Sequence, residues 1–273
     1  MADDLSRKTI SDFGEQWLSF RDSPGYYGSA ELLADIFGPL LRLADVAGTR
    51  IADIGSGTGR IVTMLLDAGA AHVYAVEPSA AMEVLRANTA ARAGQITCIA
   101  DVGENLPPGL DLDFVVSIGV LHHIPEPGPV LRAAYAALRP GGRLLVWLYG
   151  REGNEAYLRI AEPVRRLTTR LPHSVLIGMT YVGVFALDAY IGLCRVLPLP
   201  MRSYMREVLA KFPRLTRRMT IYDQLNPAYA KYYSASEARQ LVEAAGFNEV
   251  SLFHRHGYSW TVCGTKPASA RTR

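Results

Sequence analysis

The chain has 273 residues, 49% hydrophobic and 20% charged, with a formal net charge of +3. That is the composition of an ordinary globular enzyme with a sizeable core, as one large domain or a domain with an insertion, and so small a charge speaks against nucleic acid as the main partner. Cys98, Cys194 and Cys263 are odd in number at spacings that match no metal site, so no metal is expected and a reducing, cytoplasmic compartment is inferred.

Residues 1–48 read as an N-terminal helical arm or cap, and its opening stretch MADDLSRKTISDFG lacks the apolar core of a secretory signal. Residues 49–150 alternate strands and helices. Arg50 to Ile54 is a short apolar strand, and Arg60 to Ala68 has helical spacing with Ile61, Met64, Leu65 and Ala68 on one side. His72 to Val76 is the second strand. Ser79 is placed to cap a helix running to about Arg92. Ile96 to Ala100 and Phe114 to Ile118 are the third and fourth strands. Pro129 to Leu138 is helical and stops at Arg139-Pro140-Gly141-Gly142, before a fifth strand, Arg143 to Tyr149.

Residues 151–233 read as a mostly helical insertion, broken at Pro163, Pro172, Pro198, Pro200, Pro213 and Pro227. Residues 234–267 resume the core: Ser234-Ala-Ser-Glu237 is a capping box opening a helix to Ala245, with Gly246 as its stop. Glu249 to His254 and Ser259 to Thr265 then form a hairpin around His256-Gly257. Residues 268–273 read as a loose tail. Continuous apolar strands separated by helices predict an α/β, Rossmann-like, mostly parallel sheet with helices on both faces, closed by an antiparallel C-terminal strand and interrupted by a helical lid insertion. The ligand crevice of such a sheet lies at the C-terminal ends of its strands.

The strongest chemical signal is Ile51-Ala-Asp53-Ile-Gly55-Ser56-Gly57-Thr-Gly59. A buried strand runs into glycines that let the backbone turn tightly and approach a ligand, and a helix N-terminus follows, ready for a carboxylate. Arg60 stands where a dinucleotide fingerprint needs its third glycine, so a nicotinamide or flavin dinucleotide fits poorly. Glu77 ends the second strand, ahead of Pro78, where a carboxylate can accept both ribose hydroxyl protons of a nucleoside.

The stretches IADIGSGTG, AVEPS, FVVSIGVLHHI and LRPGGRLLVWLYG resemble the successive motifs of class I S-adenosylmethionine-dependent methyltransferases. The likeness is to the small-molecule branch that includes the ubiquinone and menaquinone C-methyltransferases. It covers roughly residues 50–150 and 234–266. It implies S-adenosyl-L-methionine as cofactor and S-adenosyl-L-homocysteine as product. By the same resemblance, Asp53, Gly55, Ser56, Gly57 and Gly59 would line the methionine part, Glu77 and Pro78 would hold the ribose, and Ile118 and Gly119 would border the adenosyl pocket. One departure stands out: four residues, not three, separate Asp101 from Leu106-Pro107. Either Asp101 meets the adenine amino group through a bulged loop, or Val102 supplies backbone contacts instead.

His122 and His123 follow the fourth strand, at the mouth of the crevice, and are candidates for a general base or acceptor contact. In the arm, Trp17 and Tyr26 either cap the cofactor, where an aromatic face favours the sulfonium cation, or simply pack on the core. Tyr149, Tyr222, Asp223 and Tyr229 are the acceptor-site candidates. The insertion's apolar character points to a small hydrophobic or aromatic acceptor from secondary metabolism, quinone-like or lipid-linked, reached by in-line transfer that needs positioning more than a strong base. His254 and His256 share a strand face but lack a third metal ligand.

Two further readings stay open. One keeps the cofactor but runs non-methyl chemistry, a cyclase or decarboxylase; the other is a non-catalytic S-adenosylmethionine-binding subunit. Val175 to Cys194 is apolar except for Asp188, and the stretch 175–197 admits a lid helix, a peripheral membrane contact or a span. Monomer and homodimer both remain open.

Overall fold

The computed structural model describes residues 2–268 apart from 170, 227 and 228. The break expected at Pro227 and the tail from 269 onward lie outside the described residues. The N-terminal segment supplies α1 (Ala2–Ser19) and α2 (Ala30–Phe37), the latter capped by Ser29 Oγ, which accepts the Leu32 N–H at 3.2 Å.

The strands are β1 (Arg50–Ile54), β2 (His72–Val76), β3 (Ile96–Ile99), β4 (Leu112–Ile118), β5 (Leu138–Tyr149), β6 (Asn248–Arg255) and β7 (Ser259–Thr265). They make one seven-stranded sheet in the order β3-β2-β1-β4-β5-β7-β6. β1 to β5 pair in parallel; β7 inserts antiparallel between β5 and β6. Successive strand residues face opposite sides. Ile51, Val73, Phe114 and Leu145 join the core under α2, α3 (Arg60–Asp67) and α4 (Ala81–Asn88). Ala52, Val76, Val115 and Val146 join the core under α5 (Gly128–Ala137) and α10 (Ala235–Glu243). Burial on both faces is why these strands are apolar runs and not alternating ones.

Two boundaries differ from the sequence expectation. The helix after Ser79 is shorter: Ser79 Oγ accepts the Ala81 N–H at 3.1 Å, but Thr89 leaves helical geometry and the chain continues as a 3-10 turn, Ala90–Gln95. The Thr89 hydroxyl turns back onto the Leu85 carbonyl at 2.8 Å, which the Thr89 N–H also bonds. Second, Arg139-Pro140-Gly141-Gly142 lies inside β5 as a bulge, with the β4–β5 register shifting between Leu112 and Phe114. A Cβ on Gly142 would fall 2.8 Å from the Leu112 carbonyl oxygen, so only glycine lets the two strands meet there.

The expected capping box of α10 is present: Ser234 Oγ accepts the Glu237 N–H at 3.2 Å, and Glu237 Oε2 accepts the Ser234 N–H at 2.8 Å. Between β5 and α10 the chain runs through α6 (Glu155–Thr168), α7 (His173–Val196), α8 (Arg202–Glu207) and α9 (Arg214–Leu225). This excursion leaves and returns at one point. Gly150 bridges Tyr233, the Tyr233 N–H donates to the Tyr149 carbonyl at 2.9 Å, and the Arg151 N–H donates to the Tyr233 carbonyl at 2.8 Å. The helices therefore stand over the edge where the parallel strands end.

Candidate active site

The loop after β1 is held open by its glycines. Gly55, Gly57 and Gly59 have φ of 78°, 52° and 84°, a region that costs other residues about 1–2 kcal/mol. The Gly55 and Ser56 N–H groups donate to the Val76 carbonyl at 2.8 and 3.0 Å, which locks the loop to the end of β2. Glu77 follows there, buried. Its Oε2 accepts the Gly57 N–H at 2.8 Å and its Oε1 accepts the Ser79 N–H at 3.0 Å. A carboxylate has about four acceptor positions, so two remain toward the cavity that Glu77 lines. Two hydroxyl donors of a ribose match that vacancy in number and polarity.

Asp53 lies beneath this loop and does not line the cavity. It is buried, its Oδ2 has no hydrogen-bond partner, and burial raises its pKa to about 7. A buried carboxyl with an idle oxygen under a ligand loop suits a cationic group, such as an amino group, bound nearby. Gly59 also sits back from the cavity, where a Cβ would press on Thr89 and Leu85. Ser56, Gly55, Pro78, Ile118 and Gly119 line the cavity.

Of the two residues weighed for the adenine end, the structure places Val102 on the cavity wall, next to Gly103. Asp101 is exposed and turned into its own loop, where Oδ1 accepts from the Val102 N–H at 2.7 Å and Asn105 Nδ2 at 2.9 Å. Those two bonds close the loop, and Val102, not Asp101, is the residue on the cavity wall.

His122 and His123 part company. His122 has no exposure, lies off the cavity, stacks on Tyr149 at 3.9 Å between ring centroids, and neither ring nitrogen has a partner. Its pKa is held well below the usual value by burial, then by His123 and Arg165. A buried neutral ring that packs is its place here, not an acceptor contact. His123 does line the cavity. Its Nδ1 lies 2.8 Å from the Tyr229 carbonyl oxygen, which can only accept, so Nδ1 carries the proton and Nε2 the lone pair. Burial lowers its pKa, against the opposing pull of Asp223.

On the insertion side a polar network closes the cavity. Tyr149 OH donates to Asp223 Oδ2 at 2.8 Å and accepts from Gln224 Nε2 at 2.9 Å. Gln16 Nε2 in α1 donates to Asp223 Oδ1 at 3.2 Å. Tyr157 and Tyr232 hydroxyls donate to Gln224 Oε1, and Arg165 donates to the Gln224 carbonyl at 3.0 Å. Tyr149, Asp223 and Gln224 all line the cavity. Tyr222 does not: it is fully buried, packs against Phe20, and its hydroxyl lies 2.5 Å from His173 Nδ1. Tyr229 reaches the site through its carbonyl alone.

The arm supplies the roof. Trp17 lines the cavity against the glycine loop, close enough that a Cβ on Gly57 would fall 3.3 Å from its indole nitrogen. Tyr26 turns outward onto Lys211 and Phe212, and Tyr27 takes the inward place, with the Arg60 guanidinium 4.2 Å above its ring. Sequence reasoning missed Tyr27, Tyr157, Gln224 and Tyr232 as site residues; the abundance of tyrosine in the insertion hinted only at Tyr157 and Tyr232. The whole cavity measures about 800 Å³. That is toward the upper end of the range for small-molecule sites. Glu77, Gly57 and Val102 line it together with the insertion's Met205, Met219 and Tyr204. Among the described residues, no group of three or more His, Cys, Asp or Glu is placed to hold a metal ion.

Residues 52–146 match the family model described as a methyltransferase domain. The chain is 30% identical over 122 residues to a tRNA U34 carboxymethyltransferase of Idiomarina loihiensis, covering 41% of this chain and 36% of that one. It is 32% identical over 150 residues to the 27-O-demethylrifamycin SV methyltransferase of Amycolatopsis mediterranei, covering 53% and 51%. The chain thus spans about a third to a half of the length of these curated relatives. Among solved structures it is similar to the Burkholderia thailandensis 1,6-didemethyltoxoflavin-N1-methyltransferase bound to 1,6-didemethyltoxoflavin and S-adenosylhomocysteine. The TM-score is 0.58 at 15% identity, over 98% of this chain and 91% of that one, a likeness of fold.

Proposed function

We propose, from the match of residues 52–146 to a methyltransferase domain, that the chain is a class I methyltransferase that binds S-adenosylmethionine and methylates a small hydrophobic or aromatic acceptor. The observation that carries this reading is the Glu77 carboxylate, tied to the Gly57 N–H with acceptor positions left over, in a cavity that it lines together with the insertion's residues. When bound, the cofactor supplies a sulfonium whose methyl group is already activated for transfer. The chain's own residues do the rest. Glu77 holds the ribose, Val102 and Ile118 flank the adenine, and Trp17 covers the glycine loop and keeps water out.

Tyr149, Asp223 and Gln224 orient the acceptor from the insertion side, and the apolar walls of Met205 and Met219 favour a ring or an alkyl body. His123 Nε2, with its lone pair free, takes the acceptor proton when the acceptor is a hydroxyl or amine. Alignment of acceptor, methyl and sulfur supplies much of the rate. The named relatives act on a tRNA and on a rifamycin. The second, with its apolar body, suits a mainly apolar cavity better than the first.

The test is calorimetric titration with S-adenosylmethionine, followed by incubation with methyl-labelled cofactor and a panel of phenols, quinols, aromatic N-heterocycles and bulk tRNA. Micromolar binding with label entering a small acceptor, and S-adenosylhomocysteine released in equal amount, is the expected result. No binding at millimolar cofactor removes the proposal. Label in tRNA alone replaces the acceptor class.

A further inference from the structure

Among the described residues, thirteen large hydrophobic side chains are exposed, and twelve of them lie between Ile160 and Leu215. Solvent-exposed apolar residues normally scatter singly; here ten of the twelve are carried by α6 and α7. On α7, Val175, Met179, Val182, Phe185, Leu193 and Val196 recur at three- and four-residue steps or their multiples, and are 37–76% exposed. Only 22% of the most apolar 18-residue window of this helix is buried. The opposite face of the helix is already used: Leu176, Val184, Ile191 and Cys194 are buried, and Asp188 is turned onto Arg214 and Arg217 of α9 at 2.9 and 2.6 Å. That inner clamp leaves the outer face, free of charged side chains from Val175 to Leu193, as the one that meets a partner.

Charge says what the partner is. Residues 151–233 hold thirteen Lys and Arg against six Asp and Glu, a balance of +7, while the remainder of the chain holds sixteen against twenty, −4. Among the described residues, Arg159, Arg166 and Arg195 are exposed on the same helices and pair with no carboxylate. Arg218 and Arg214 lie over the rings of Tyr181 and Phe185, at 3.3 and 4.3 Å. A second copy would bring these exposed arginines against their own kind. An anionic surface does the reverse.

We propose that the outer face of α6 and α7 docks the protein on an anionic lipid bilayer, lying in the interface without crossing it. The apolar row enters the acyl boundary while the arginines meet the phosphates. Leu187, on the inner side of α7, lines the cavity, so the same helix separates the lipid surface from the cavity. The docking stands without the methyl-transfer reading, since it is read on the protein alone.

The experiment is co-sedimentation of the full chain with phosphatidylcholine vesicles, with and without an equal share of phosphatidylglycerol, at physiological salt. The expected result is partition onto the anionic vesicles only, weakened by added salt, and reduced by about tenfold or more in Val182→Glu/Phe185→Glu. Because both side chains are exposed, the variant keeps its thermal midpoint and its S-adenosylmethionine titration. Arg159→Glu/Arg166→Glu lowers partition onto anionic vesicles through charge alone. Three outcomes overturn the proposal: no sedimentation with either vesicle, sedimentation indifferent to both variants, or a dimer in light scattering that Val182→Glu/Phe185→Glu dissolves.

Discussion

Glu77 Oε2 and the Gly57 amide nitrogen lie 2.8 Å apart, joining the acid at the end of β2 to the loop after β1. The bond aims the carboxylate at the cavity and fixes the loop before any ligand arrives. Glu77→Gln presents an amide that keeps one acceptor oxygen and loses the charge. Charge-assisted bonds contribute about 1.5–3 kcal/mol. S-Adenosylmethionine affinity measured by calorimetry should therefore fall by roughly ten- to a hundredfold. An unchanged dissociation constant in a variant with a normal melting curve would move the ribose elsewhere.

Gly57 carries two constraints at once, a φ of 52° and the Trp17 indole 3.3 Å from where its Cβ would stand. Gly57→Val should abolish detectable cofactor binding and destabilise the fold by about 1–2 kcal/mol from the left-handed backbone alone. Trp17→Ala relieves the second constraint and not the first. If adding it to Gly57→Val restored full binding, the roof and not the backbone would be the obstacle.

His123 is held below the usual histidine value chiefly by burial, so it is neutral at pH 7 with Nε2 able to accept a proton. As base, it should give an acid limb in kcat/KM centred below pH 6.5, with activity flat above it. The pH–rate profile of His123→Gln should lose that limb along with most of the rate, provided the acceptor carries a proton to remove. A limb that survives in the variant belongs to another group.

Asp53 moves in the opposite sense, raised by burial from 3.8 to about 7. Between those values the unfolded chain is ionised and the folded one holds its proton, so stability attached to this group is full below pH 3.8 and is lost as pH rises to about 7. Asp53→Asn should remove that loss. Chemical denaturation of the two proteins should show the variant gaining on the parent by a few kcal/mol from pH 4 to pH 7. A constant difference across that range would place the carboxyl in water.

Much of the fold could be read before the structure because it rests on near neighbours. The apolar runs at Arg50, His72, Phe114 and Arg143 mark inner strands, the run at Ile96 marks a partly buried edge strand, and Ser234 with Glu237 marks a helix start. The glycine spacing before Arg60 and the acid at Glu77 fixed where a nucleoside ligand is to be sought. The end of α4 was not legible: the chain leaves helical geometry at Thr89, whose N–H and hydroxyl both bond the Leu85 carbonyl. Nor was the bulge at Gly141-Gly142, whose cause is the Leu112 carbonyl about thirty residues away.

Sequence alone determined the layered α/β core, the insertion between its fifth and sixth strands, and the loop-and-acid pair, since periodicity and turn chemistry are local properties of the chain. Tertiary structure decided which of two adjacent residues faces the cavity: Tyr27 and not Tyr26, His123 and not His122, Asp223 and not Tyr222. Neighbouring side chains on a helical turn point about 100° apart. The docking of the whole element therefore selects between them, and that docking is set by contacts such as Gln16 with Asp223, 207 residues apart.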